Sequence, residues 1–331
     1  MSTAPKLKPL EAIRYGAEAA VFFTVLGFFR IFGVETASAI GGFVGREFFY
    51  RTGLTGRARD NLLAAYPQME KSECEQILRE MWDNLGRTIA EYAHLDKMSI
   101  KGPNPRIVLA GLEHADVALA SGKPVIFISG HFANWEVIQF AAAQYGVEGG
   151  AVYRPVNNPF VDHWMVRQRM RNGTPEQIAK GAQGTRRIFT LLRGGKAIFL
   201  LVDQKTNEGV AAPFFGRDAM TTPAPAALAL KLGAILLPVS NERIGDTRFR
   251  ITAHPPIDYS PSADHDRDIL ALTEKINEKV EQMVRYRPSQ WLWIHRRWPK
   301  AGDKPRSRRG KESQALAGAG VRVERDGSSA S

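Results

Sequence analysis

At 331 residues with 44% hydrophobic side chains, the chain is long enough for one large domain or two ordinary ones, with a sizeable core. Forty-five Lys and Arg against 34 Asp and Glu give a formal charge of +11, which favours polyanionic partners: nucleic acid, an anionic membrane face or phosphorylated substrates. The single cysteine, Cys74, excludes an internal disulfide framework and a cysteine-based zinc site. Seven histidines leave a histidine-based metal site possible, though no H-E-x-x-H or H-x-H spacing occurs; with no cluster of metal ligands around His131, no catalytic metal and no cofactor are expected.

In chain order, a short basic start (Lys6, Lys8, Arg14) leads into the apolar run AAVFFTVLGFF at 19–29. The uninterrupted run is shorter than the roughly 20 residues that span a bilayer, and Glu18, Arg30 and Glu35 flank or interrupt the apolar stretch. We read it as an uncleaved membrane anchor, spanning or interfacial; a signal peptide and a buried first helix are the alternatives. Arg46, Arg51, Arg57 and Arg59 come next around Gly53 and Gly56, and suit either an anionic lipid face or a solvated loop. Ser72 with Glu75 predicts a capping box for a helix whose core face carries Ile77, Met81, Leu85 and Ile89.

From Arg106 short apolar runs alternate with helical segments: IVLAG, PVIFIS, GAVYRP, AIFLLVDQ, AILLPVS and FRITAHP. This predicts an α/β fold with a mainly parallel or mixed central sheet flanked by helices. No glycine-rich phosphate loop accompanies it, so no nucleotide is indicated. The second run ends at Ser129-Gly130-His131, at the rim of a sheet where α/β proteins build their sites. With His131 in the turn and Glu136 about a turn into the next helix, the carboxylate is expected to reach back and orient the imidazole as a general base. Arg154 closes the next strand, and Arg167, Arg169 and Arg171 line the following helix. Asp203 ends AIFLLVDQ, either at the site or capping the next segment. Phe214 and Phe215 line a groove or pack, and Thr221 or Thr222 is a candidate N-cap. Ile269, Leu272, Ile276, Val280 and Met283 predict a last amphipathic helix, followed by RPSQWLWIHRRW at 287–298, whose aromatics with Arg296 and Arg297 suit an interfacial edge. Residues 300–331 carry eight Lys/Arg against four Asp/Glu with little to bury, and are expected to be disordered.

The segment GHFANWE resembles the H-x-x-x-x-(D/E) motif of the lysophospholipid acyltransferase superfamily. From Arg57 to Trp298 the chain resembles the bacterial lipid A biosynthesis acyltransferases. The carriers are RARDNLLAAYP, YRPVNNP followed by the R-x-R of Arg169 and Arg171, Asp203 at its strand end, PFFGRDAMTT and the WLWIHRRW ending. Gln204 and Lys205 stand where relatives vary. The resemblance implies transfer of a fatty acyl chain from an acyl carrier protein thioester to a hydroxyl of an anionic glycolipid, on the cytoplasmic face of the cell inner membrane. It implies His131 and Glu136 as catalytic residues, and Asn134, Arg154, Arg169, Arg171 and Asp203 as substrate-binding ones, with guanidinium forks on phosphate. No Ser or Cys sits in a nucleophile motif, so direct transfer is expected. The implied organisation is an anchor over 1–56, an acyltransferase domain over 57–299 and a tail over 300–331. Other membrane-lipid acceptors share the motif; a non-enzymatic protein binding membranes or nucleic acid leaves the His131 context unexplained, and no nucleic-acid partner is expected.

Overall fold

A computed structural model describes residues 8–207 and 209–298; the expected tail at 300–331 lies outside them. Four helices lead the chain: α1 (Pro9–Ile31), α2 (Val34–Glu47), α3 (Gly53–Ala65) and α4 (Lys71–Glu91). Then strands and helices alternate: β1 (Ile107–Ala110), α5 (Leu112–Ala120), β2 (Val125–Ser129), α6 (Glu136–Tyr145), β3 (Gly149–Tyr153), α7 (Pro159–Asn172), β4 (Glu176–Ala179), α8 (Ala182–Arg193) and β5 (Ala197–Leu201). A hairpin, β6 (Val210–Phe214) and β7 (Arg217–Thr221), precedes α9 (Ala224–Leu232), β8 (Ile235–Arg243), β9 (Phe249–Ala253) and α10 (His265–Tyr286).

Seven strands form one mixed sheet in the order β1-β9-β8-β2-β5-β3-β4, in which only the β8–β9 pairing is antiparallel. The α/β expectation is met, and all six predicted runs are strands. The reading missed β4 and the β6–β7 hairpin, whose sequences EQIA and RDAMT lack a continuous apolar run. β2 lies centrally between β8 and β5, helices cover both of its faces, and side-chain alternation divides the core. Ile126 and Ile128 join a cluster with α3, α4, α8, α9 and α10; Val125 and Phe127 join one with α5 and α6.

The aromatic ending is core, not an interfacial edge. Trp291, Trp293 and Trp298 are buried around Phe214 and Phe215, which pack rather than line a groove. Arg297 is only 1% exposed. It donates to Met220 O at 3.2 Å, Thr221 Oγ1 at 2.8 Å and Asn277 Oδ1 at 3.0 Å. Thr221 thus belongs to a buried network, and neither threonine is the N-cap of α9, a position taken by Pro223. The Ser72 capping box is likewise not formed. α4 starts two residues earlier, with Glu70 as N-cap, and Glu75 is drawn away to Arg59, at 2.5 Å and 2.9 Å, and to Tyr50.

α2 lies directly on α4. A Cβ on Gly45 would strike the Trp82 carbonyl, and one on Gly86 the Gly41 carbonyl, so the two backbones touch. α1 is different: it is long and apolar enough to cross a membrane, yet only 17% of its apolar window is buried. Leu10, Ile13, Val21 and Ile31 are at least two-thirds exposed. It is tied at two points. Asn158 caps α7 ahead of Pro159 and donates through Nδ2 to Tyr15 O at 2.8 Å, while Arg30 forks onto Asp96 at 2.6 Å and 3.1 Å.

Candidate active site

β2 and β5 are paired in parallel with Ser129 opposite Leu201, and Val202 N donates to Ser129 O at 2.9 Å. Two residues beyond that pair on each strand stand His131 and Asp203, so the register itself sets them side by side. Asp203 Oδ1 is 2.7 Å from His131 Nδ1, and Oδ2 accepts from His131 N at 2.7 Å and Trp291 Nε1 at 2.8 Å. Gly130 makes this approach feasible, because a Cβ there would lie 3.0 Å from Asp203 Oδ2 and 2.7 Å from the Phe132 ring. Asp203 is 4% exposed, and burial alone would raise its pKa. The charge of His131 and the three donated hydrogen bonds outweigh burial and hold the carboxyl well below its ordinary range. An ionised carboxylate on Nδ1 fixes the tautomer of the neutral imidazole and leaves Nε2 with a lone pair able to accept a proton.

The expected contact between Glu136 and His131 is not the one formed. Residues 131–135 make a tight turn with Ala133 in the left-handed region at φ 46°, and Glu136 is the first residue of α6 rather than a turn into it. The turn is clamped. Ala133 N donates to Gln290 O at 2.9 Å, Thr88 Oγ1 donates to Ala133 O at 3.1 Å, and Asn241 Nδ2 donates to Asn134 O at 2.8 Å. Its geometry points Glu136 toward α7. There Arg169 donates to it at 2.8 Å and 2.5 Å, Tyr92 OH at 2.7 Å and Gln139 Nε2 at 3.1 Å. Burial pushes the Glu136 carboxyl up, but Arg169 and then Tyr92 overcome it, and the group titrates below its usual value. His131 contributes to that shift through its charge, so the two groups sense one another across the turn.

Arg169 is therefore engaged by Glu136, with its side chain 13% exposed, rather than free for a substrate phosphate. Asn134 is fully buried: its Nδ2 donates to Glu91 Oε2 at 2.9 Å and its Oδ1 accepts from Glu136 N at 3.2 Å. It supports the turn and presents nothing to a substrate. Arg154 and Arg171 are exposed. Arg171 lies on a cleft of about 350 Å³ between α1, α7 and residues 92–96, one wall of which is Tyr92. Arg154 lies just past the end of β3 and has Lys180 beside it, since Lys180 N donates to Tyr153 O at 2.9 Å. Desolvation draws the Lys180 amine below its ordinary value; Asp203 opposes this and Arg154 adds to it. In sheet order β2, β5, β3, β4 the rim thus carries His131, Asp203, Arg154 and Lys180.

Three further residues surround the imidazole. Trp135 packs edge-on at 5.1 Å between centroids, His295 lies at 5.8 Å, and the Gln204 amide nitrogen is 3.1 Å from His131 Nε2. His295 is held by Asn61, whose Nδ2 donates to His295 O at 2.5 Å and Trp293 O at 2.7 Å. Among the described residues no group of three or more His, Cys, Asp and Glu is placed to hold a metal ion.

A histidine oriented by a buried carboxylate at the carboxyl ends of parallel strands marks an α/β protein equipped for general-base chemistry. Residues 5–300 match the sequence model of the family described as bacterial lipid A biosynthesis acyltransferase, and the chain belongs to that family. It is similar to the lipid A biosynthesis lauroyltransferase of Escherichia coli K12, at 27% identity over 248 residues covering 72% of this chain and 76% of the relative. The lipid A biosynthesis palmitoleoyltransferase of the same organism is 27% identical over 259 residues, 73% of this chain and 77% of that protein. A phosphatidylinositol mannoside acyltransferase of Mycobacterium tuberculosis is 23% identical over 266 residues, 77% and 80% of the two chains.

Proposed function

We propose that this protein transfers a fatty acyl chain from an acyl carrier protein thioester to a hydroxyl of a lipid A precursor. The observation that carries the reading is His131, with Nδ1 on the ionised Asp203 and Nε2 turned away from it, in a chain of this family. An alcohol attacks a thioester only if its proton is taken as the C–O bond forms. In the proposed step His131 Nε2 takes the acceptor hydroxyl proton and the alkoxide oxygen adds to the thioester carbonyl. The tetrahedral intermediate then expels the carrier thiolate, which receives the proton back from His131. The products are the ester and the carrier thiol, and no acyl-enzyme is needed.

In this reading Asp203 is the positioning carboxylate. The Glu136–Arg169–Tyr92 cluster braces the start of α6, and so the turn that carries His131. Arg154 and Lys180 at the rim, with Arg171 at the cleft beside Tyr92, are the cations we assign to the phosphates of the acceptor. α1 is assigned as the membrane anchor of the 1–56 segment, which the exposure of its apolar side chains supports, and the catalytic domain is assigned to the cytoplasmic face of the inner membrane. The similarity to a phosphatidylinositol mannoside acyltransferase supports a second acceptor class, a mannosylated phospholipid.

The test is transfer by the purified full-length protein of a radiolabelled acyl chain from acyl carrier protein, offered a lipid A precursor and a phosphatidylinositol mannoside in separate reactions. Product with the first acceptor is expected. Product only with the second would move the protein to the other acceptor class, and a carrier-protein thioester left intact with both would refute the donor.

A further inference from the structure

The Gln204 side chain lies between two imidazoles. Its amide nitrogen is 3.1 Å from His131 Nε2 and 3.0 Å from His295 Nε2. Which atom of the amide faces the rings is decided by the chemistry on the far side of His131. Asp203 is ionised and can only accept, so Nδ1 carries the hydrogen and Nε2 of the neutral ring is a lone pair. The amide must then offer N–H, and each of its two hydrogens goes to one ring. With its nitrogen toward the rings the amide suits imidazoles that are uncharged at Nε2; a protonated Nε2 would require it to turn its oxygen to the ring. Burial, and then His131, keep His295 below the ordinary imidazole value; Asp203 opposes this and Arg57 adds to it.

We propose that Gln204, anchored by His295, is a positioning pair for the base: it holds the His131 lone pair uncharged and aimed at the acceptor, and yields its place to the acceptor hydroxyl. This deepens the acyltransferase reading, but its test can be separated from it. The charged groups facing the two rings are Asp203 beyond β5, Glu136 of α6 with Arg169 behind it, and Arg57 of α3, with Lys180 and Arg154 beyond Asp203 on the rim. None of them bonds to Nε2 of His131, where Gln204 acts.

Replacing the amide by a carboxylate reverses its hydrogen bonding. A carboxylate accepts only, so Gln204→Glu favours a protonated Nε2 on both rings. The midpoint of His131, followed by ¹³C NMR of the labelled imidazole in the full-length protein and assigned against His131→Ala, is expected to rise by about one pH unit or more. The acid limb of kcat/KM is expected to rise with it. Gln204→Met removes the donor without adding charge, and should raise the midpoint by less. For the anchor, His295→Gln returns an acceptor near the lost Nε2 and should keep most of the rate, whereas His295→Leu should not. A His131 midpoint in folded Gln204→Glu equal to that of the wild type overturns the proposal, as does an unchanged midpoint in Gln204→Met should the carboxylate variant fail to fold. Because the titration needs no substrate, a shifted midpoint in a protein that transfers no acyl group supports the pair while refuting the function.

Discussion

Asp203 directs both of its oxygens toward His131. Two of the three groups donating to it belong to that residue, and the third is the indole of Trp291. Asp203→Asn keeps the shape and removes the charge that favours the imidazolium of the proposed proton transfer. We expect it to lower kcat by about 10²–10⁴, within the range of general-base contributions. The loss should be close to that of His131→Ala and far from additive in the double variant, since both act through one proton transfer. Single-turnover rates of the purified variants, with fold checked by circular dichroism, decide this. An Asp203→Asn enzyme at wild-type rate would return the orienting role to Glu136. Sequence reasoning chose Asp203 as a site residue but paired His131 with the nearer carboxylate in the chain. The signal that could have paired them correctly is their equal offset beyond two apolar runs, Ser129-Gly130-His131 and Leu201-Val202-Asp203.

At the scale of elements, α6 and α7 are joined through a buried ion pair, Glu136–Arg169, whose members are 1% and 13% exposed. Such a pair is a weak source of net stability, but removing one partner strands the other charge, at about 3–5 kcal/mol. Arg169→Ala is therefore expected to cost about that much in urea denaturation at neutral pH. The double variant Arg169→Ala/Glu136→Gln should recover part of it. Equal stabilities for the single and double variants would refute the ion-pair account. The pH dependence has a definite sign. Glu136 and Asp203 both titrate lower in the folded chain than unfolded, so the unfolded chain binds more protons just below the ordinary carboxylate range of about 4. Their contribution is complete above that value and is lost as pH falls through their folded values. An R-x-R pattern cannot distinguish an arginine facing phosphate from one facing a buried glutamate, because the helix face of each is settled by where α7 docks.

For the whole molecule, the exposed apolar surface is concentrated at the amino end. Besides α1 it includes Phe43 at 51%, Phe48 at 58% and Phe49 at 38% exposure. Val34 is buried and begins α2, so an informative truncation stops at Phe32. Removal of residues 1–32 is expected to shift most of the protein from the membrane pellet to the soluble fraction. Unchanged pelleting would move the anchor to the phenylalanines of α2 and its end.

The alternation of apolar runs and helical segments determined the α/β class and six of the nine strands among the described residues, because a strand buried on both faces, as β2 is, demands a continuous apolar stretch whatever its partners. The Ser-Gly-His strand end marked where the candidate site lies, for the same local reason. Tertiary structure alone decided who touches whom. Strand order brought Asp203 against His131 across 72 residues, and the docking of α7 took Arg169 for Glu136. The folding of the last segment back over the sheet buried three tryptophans and Arg297, and set His295 beside a glutamine that no local pattern connects to it. Hydrophobic periodicity acts through each residue's own burial and is written along the chain; register and docking depend on pairs of distant segments, and no single segment carries them.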